Sequence, residues 1–171
     1  MIDAALVIPV YRDCDGELHI IMILRQPGGV HGGQVAFPGG KRDPEDQTML
    51  DTALREVREE LGLVVDRADV LAALPVAETR TTGYRVFPYL ARIHVPDRWQ
   101  LAEREIAEII DVKLSDLTRP DAQDQMIERF PTWEGPAAVS FYRVGSHRLW
   151  GFSYRVLHPL LPRLMNNEWE V

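Results

Sequence analysis

The stretch REVREELG, Arg55 to Gly62, places Glu56, Glu59 and Glu60 immediately before a glycine suited to ending a helix. Leu50, Leu54, Val57 and Leu61 recur at spacings of 4, 3 and 4. The spacing predicts one amphipathic helix from about Gln47 to Leu61, with Gly62 as its C′ residue. At about 100° per residue the apolar stripe faces a core, while the three glutamates project within a sector of roughly 100° on another side. Carboxylates gathered at a helix C-terminus meet the negative end of the macrodipole and repel one another, at a cost of about 1–3 kcal/mol. A solvated face, with Arg55 and Arg58 offsetting the acids, tolerates that cost. A hard divalent cation reverses its sign, because oxygen ligands suit Mg²⁺ or Mn²⁺ and Mg²⁺ takes a few carboxylates together with waters and substrate phosphates.

Around this helix the chain reads as an α/β domain. Its 171 residues suffice to bury a core unaided, and no linker divides them, so one domain over 1–171 is expected. The runs AALVIPVY and LHIIMIL flank an Asp15-Gly16 turn pair and predict an opening hairpin. RQPGGVHGGQVAFPGGKRDPED then reads as a Gly/Pro-rich loop with a short apolar VAF inside it, either functional or a plain connection. Further strands are expected within DVLAALPVAE, RVFPYLARIHV, EIAEIIDV, AAVSFYRV and HRLWGF. A last helix is expected over SYRVLHPLLPRLM, with Pro159 breaking or kinking it. Strands alternating with two helices imply a mixed sheet with helices packed against it.

Composition removes several function classes. The apolar runs are far too short to span a bilayer. A net charge of -7 argues against wrapping a nucleic acid polymer, whose binding rests on neutralised phosphates. The first residues lack a basic region followed by a small-residue cleavage site, and Cys14 has no second cysteine to pair with, so a cytoplasmic location is expected.

FPGGKRDPEDQTMLDTALREVREELGL as a whole resembles the Nudix box, written G-x5-E-x7-R-E-U-x-E-E-x-G-U with U aliphatic. Gly40 opens it, Arg55, Glu56, Val57, Glu59, Glu60, Gly62 and Leu63 match its second half, and the box spans 40–63. Two departures stand in the first half: Asp46 occupies the usual glutamate position, and eight residues rather than seven separate it from Arg55. The resemblance implies a Nudix-type α/β/α sandwich with a central mixed β-sheet. It also implies a Mg²⁺ or Mn²⁺ cofactor held by Glu56, Glu59 and Glu60, with Arg55 orienting one of them and the Gly39 or Gly40 backbone adding a carbonyl. Such a cation polarises a diphosphate, lowers the pKa of a bound water and draws an anionic substrate to an acidic protein. Glu105 and Glu108 stand where Nudix enzymes draw a further ligand or general base; Glu105 is preferred, although a solvated edge explains both. Arg25 and Lys41 flank the glycine loop as candidate phosphate contacts, and Tyr84, Phe87 and Trp99 as stacking residues, against plain surface cations and packed aromatics. His31, Trp150 and Cys14 read as an exposed loop residue, a packing residue and an unactivated thiol.

Further segments resemble the coenzyme A pyrophosphatase branch of that family. FPGGKRD and TALRE stand at Phe37–Asp43 and Thr52–Glu56 with the lengthened spacing. Gly83, Tyr84, Val86 and Pro88 match its glycine-aromatic-x-V-x-P segment, and EIAEIIDVKLSDL and HRLWGFSYRVLHPLL match later ones. That branch carries a second basic residue ahead of the glycine aligned with Gly33, suited to the 3′-phosphate of CoA, whereas QPGGVHGG after Arg25 has no arginine or lysine. The resemblance thus implies a small-molecule nucleotide substrate, CoA or acyl-CoA first and ADP-ribose, NADH or an oxidised nucleotide as rivals. It implies no membrane partner and leaves room for a homodimer. A ligand-sensing Nudix domain is a further alternative; such domains commonly lose box glutamates, and all three stand here.

Overall fold

Alternate residues of β1 (Ile2–Arg12) face two different cores in a computed structural model of the protein, which describes residues 1–29, 31–80 and 82–171. Val30, in the Gly/Pro-rich loop, and Thr81, ahead of the glycine-aromatic segment, lie outside the described residues. Ala4, Leu6, Ile8 and Val10 join one apolar cluster, and Ala5 and Val7 join the other. β2 (Leu18–Arg25) repeats the pattern, with Ile20 and Met22 on the first side and Ile21 and Ile23 on the second. A strand covered on both faces is apolar throughout rather than at alternate positions, which is why AALVIPV and LHIIMIL read as continuous runs.

β1 pairs in parallel with β7 (Tyr84–Arg92) from Ile2–Tyr84 to Val10–Arg92. Its other edge is shared: Val10 to Arg12 pair with β2, and Ala4 to Leu6 pair with β4 (Gly39–Lys41). β2 also carries β3 (Val35–Ala36) and β8 (Ile106–Lys113), while β7 carries β5 (Val70–Ala73) and β6 (Ala77–Glu78), which completes a mixed sheet of eight strands among the described residues. α1 (Met49–Leu61) covers the second face through Ala53, Val57 and Leu61. α2 (Leu114–Leu117) and α3 (Gly151–Met165) cover the first through Leu114, Leu117, Leu157, Leu160, Leu161 and Leu164. The result is the expected α/β/α sandwich with a central mixed β-sheet. A three-stranded antiparallel sheet, β9 (Gln123–Arg129), β10 (Pro136–Val144) and β11 (His147–Trp150), feeds Tyr142, Val144 and Leu149 into the first core.

Three expectations change. The buried stripe of α1 runs through Ala53, Val57 and Leu61, with Leu50 and Leu54 only half-buried, because the helix is rolled to bring Glu60 to the inner side as well. The Gly/Pro-rich stretch is no plain connection, since it contains β3 and β4. Pro159 does not break α3, which continues past it and past Pro162 to Met165. Both prolines sit on the exposed face, where water can serve the carbonyls they leave free. The four buried leucines, at about 1.5–3 kcal/mol each, hold the helix against the sheet despite an interior-proline cost of about 3 kcal/mol. Among the described residues no helix is long and apolar enough to cross a membrane.

Candidate active site

The glutamate helix is fixed at both ends. Thr48 caps it by accepting from the Asp51 N–H, and the Asp51 carboxylate accepts from the Thr48 N–H at 2.8 Å, a reciprocal cap worth about 1 kcal/mol. Gly62 closes the other end in the left-handed conformation, φ 67°, and donates to the Arg58 carbonyl. With its ends set, α1 holds Glu56 beside the bend formed by β4.

Two adjacent glycines make that approach possible for different reasons. A Cβ on Gly40 would lie 2.3 Å from Glu56 Oε1 and 2.4 Å from its carboxyl carbon, so only a glycine lets this backbone stand against the carboxylate. A Cβ on Gly39 would lie 2.3 Å from the Ala5 carbonyl oxygen and 2.5 Å from Leu6 Cβ, so here the glycine serves the β4–β1 contact. The Gly40→Ala substitution therefore displaces a carboxylate rather than backbone. We expect kcat/KM to fall about tenfold or more while the melting temperature stays within about 3 °C, read by steady-state kinetics and thermal denaturation.

The three glutamates occupy unlike surroundings. Glu60 is 2% exposed, accepts from the Gly39 N–H at 2.9 Å and has Arg25 Nη1 at 3.8 Å. Burial pushes its carboxyl up to about 8, against the pull of Arg25 and the Gly39 N–H, with the charges of Glu56 and Glu105 adding to the rise. Burial also raises the Glu56 carboxyl, opposed by Arg55 and reinforced by Glu59 and Glu105. Glu59 stands at the rim, its side chain 55% exposed.

Arg55 ties the region together. It donates to Glu56 at 3.1 Å, to Glu59 at 3.0 Å, to the Lys41 carbonyl at 2.9 Å, and through Nε and Nη2 to both oxygens of Asp46 at 3.1 and 3.0 Å. Asp46, 7% exposed, also accepts from the Asp43 N–H at 2.9 Å and the Thr52 hydroxyl at 2.8 Å. Arg55 above all holds the Asp46 carboxyl well below the usual carboxylate range. The residue that departs from the box in sequence is thus the anchor of its arginine. A turn in which the Asp46 N–H donates to the Asp43 carbonyl at 3.0 Å brings the shorter side chain into reach despite the additional residue.

Among the described residues no three acidic, histidine or cysteine side chains already share one coordination sphere. Arg55 stands between Glu56 and Glu59, and Glu60 turns to Gly39. The donor set nevertheless fits a divalent cation: Glu60 is a nearly enclosed carboxylate whose one cationic neighbour among the described residues, Arg25 at 3.8 Å, stays beyond hydrogen-bond distance, and the bare Gly40 leaves space beside Glu56.

The other candidates are distributed around this core. Glu105, exposed in the turn ahead of β8, acts electrostatically on both Glu56 and Glu60, and its carbonyl accepts from the Gln26 N–H at 2.7 Å. Glu108 instead pairs with His147 at 3.7 Å. Lys41 places its ammonium 5.8 Å from the centroid of the half-buried Tyr84 ring. Phe87 and Trp99 pack against the core that α1 covers, and Trp150 lies 5.8 Å from Phe130. Sequence reasoning missed the turn of Arg25 toward Glu60 and the anchoring role of Asp46; the nearby Thr52, an internal polar residue on a helix, is the one local sign of the latter.

A sandwich that sets a capped glutamate helix against a glycine bend defines the class. Residues 2–132 match the NUDIX domain family, and the chain belongs to that family. Among curated relatives it is 34% identical over 133 residues to the uncharacterized Nudix hydrolase NudL of Pectobacterium atrosepticum, across 76% of this chain and 66% of that protein. It is also 34% identical over 128 residues to the mitochondrial coenzyme A diphosphatase NUDT8 of Mus musculus, across 73% of this chain and 60% of that protein. The chain therefore spans less than two thirds of the length of either relative. Of solved structures, a MutT/nudix family protein from Enterococcus faecalis superposes with a TM-score of 0.67 at 16% identity, over 96% of this chain and 62% of that one. The NUDIX domain of Shewanella oneidensis NrtR, complexed with ADP ribose, superposes with a TM-score of 0.57 at 16% identity, over 69% and 76%. At such identities the likeness is one of fold.

Proposed function

We propose that the chain, acting as one domain, hydrolyses the diphosphate bond of a nucleoside diphosphate derivative, with CoA or acyl-CoA as substrate and 3′,5′-ADP and 4′-phosphopantetheine or its acyl form as products. The observation that carries this reading is the nearly enclosed Glu60 together with Glu56 against Gly40, an arrangement that costs energy and that a cation relieves. Glu56, Glu59 and Glu60 would hold Mg²⁺ or Mn²⁺, with the Gly40 carbonyl as a further ligand. The cation supplies positive charge at the diphosphate and a more acidic water. Arg55 orients Glu56 and Glu59 from its anchor on Asp46. Glu105 accepts the proton of the attacking water, Arg25, Lys41 and the Gly39 backbone meet the phosphates, and Tyr84 lies beside the leaving half. A cytoplasmic setting belongs to the same proposal.

CoA is preferred because the FPGGKRD, TALRE and glycine-aromatic segments stand together and because the mouse relative is a coenzyme A diphosphatase. One observation favours a second reading, a nucleoside diphosphate without a 3′-phosphate such as ADP-ribose: Arg25 is directed at Glu60, and no arginine or lysine follows it before Gly33. The test is a panel of CoA, ADP-ribose, NADH and nucleoside triphosphates with Mg²⁺ or Mn²⁺, products identified by mass spectrometry. We expect CoA cleavage to fall at least about 100-fold in EDTA and to return with added metal. Turnover indifferent to chelation overturns the metal reading; ADP-ribose cleaved with CoA untouched replaces the substrate.

A further inference from the structure

One row of the central sheet links the glycine bend to the opposite edge. Lys41 is in register with Ala4, Ala4 with Val86, and Val86 with Ala77. Strands lie about 4.8 Å apart, so β6 is about 14 Å from Lys41, comparable with an extended nucleoside diphosphate. Just beyond β6, Arg80 lies over the Trp133 ring, 5.9 Å from its centroid. From the second turn of α3, Arg155 lies 5.7 Å from the Phe152 centroid and donates to the Glu78 carbonyl at 2.8 Å. Phe130 stands 4.7 Å from Trp133 and 5.8 Å from Trp150, completing an aromatic group beside Arg80.

Arg85, Arg92 and Arg143 hold Asp3, Asp69 and Asp124, whereas neither Arg80 nor Arg155 forms an ion pair with a carboxylate among the described residues. Burial lowers the Arg155 pKa and the neighbouring Arg80 lowers it further, so the two cations repel one another. An anion between them relieves that repulsion, and guanidinium groups suit a phosphate better than ammonium groups do.

We propose that Arg80 and Arg155 form a second anion subsite for a phosphate monoester on the nucleoside half of the substrate, with the base against Phe130, Trp133 and Trp150. This rests on the diphosphatase reading above. It supplies, from the β6 edge and α3, the cationic contact that the stretch after Arg25 lacks. The subsite distinguishes an adenosine 3′,5′-bisphosphate unit from one without the 3′-phosphate.

The test uses the full chain without added metal, titrated with adenosine 3′,5′-bisphosphate and with adenosine 5′-monophosphate and followed by tryptophan fluorescence. The parent should bind the bisphosphate about tenfold or more tighter. Arg80→Ala, an exposed position, should remove most of that preference; Arg155→Lys, which keeps the charge but loses the planar fork, should reduce it. In turnover, the kcat/KM ratio of CoA over 3′-dephospho-CoA should fall about tenfold in Arg80→Ala. Equal affinity of the parent for both nucleotides, or variants that keep the full preference, overturns the subsite even if CoA is cleaved. If CoA is not cleaved but the preference disappears in the variants, the subsite stands and the substrate reading falls.

Discussion

Glu60→Gln lowers kcat/KM by about 10³-fold or more, while the protein in EDTA melts no lower than the parent. The two halves share one cause. The Glu60 carboxylate is 2% exposed, and Arg25 at 3.8 Å is too distant for a hydrogen bond, so the ionised form is costly to bury. An isosteric amide keeps an oxygen for the Gly39 N–H and removes the charge. In turnover that charge is required if it holds the cation, and a thousandfold loss corresponds to about 4 kcal/mol of transition-state stabilisation. Kinetics with saturating Mg²⁺ and calorimetry in EDTA measure the two quantities separately. A folded variant with full activity removes Glu60 from the metal site. A variant that melts well below the parent in EDTA makes it a structural residue.

Arg55→Ala reduces activity about 100-fold and also destabilises the fold, by about 3 kcal/mol. Its removal leaves Asp46, 7% exposed, with the Thr52 hydroxyl and the Asp43 N–H but no cation, and frees Glu56 and Glu59 from their common donor. For a chain of this size such a loss lowers the melting temperature by about 6–12 °C. Arg55→Lys rescues little, because one ammonium cannot reach Asp46, Glu56, Glu59 and the Lys41 carbonyl together. The pH dependence has a defined sign. Asp46 is held below the ordinary value of 3.8, so its stabilising contribution is complete above that pH and is lost as pH falls below it. The stability gap between parent and Arg55→Ala should therefore narrow in acid. A gap independent of pH between 3 and 7 would place the stabilising effect of Arg55 outside Asp46.

How much of this was legible in the sequence depends on whether a residue's neighbours are local. α1 was readable to within two residues of its start because its apolar spacing and Gly62 are local signals. β9, QDQMIER, offered no such signal: Met126 and Glu128 are half-buried and Ile127 is exposed, so its strand character comes from pairing with β10 rather than from its own pattern. The box glutamates were legible as a set, but not their division into an enclosed Glu60, a half-covered Glu56 and a rim Glu59. That division follows from the roll of α1 against β1, which small Ala53 permits and which Leu50 and Leu54 alone misrepresent. Asp46 looked like a flaw in the motif because its partner lies nine positions away, across a turn whose closure no spacing rule describes.

The edge of β1 that carries Gly39 and Gly40 belongs to a strand whose Val7, Ile8 and Val10 side chains are fully buried. The bend is thus stitched to a buried strand of the central sheet rather than carried on a free loop. Amide exchange at Leu6 and Val7 should occur only through whole-molecule unfolding. Heat or denaturant should then leave no stage at which the Gly39–Gly40 bend has come apart while the remainder of the sheet survives.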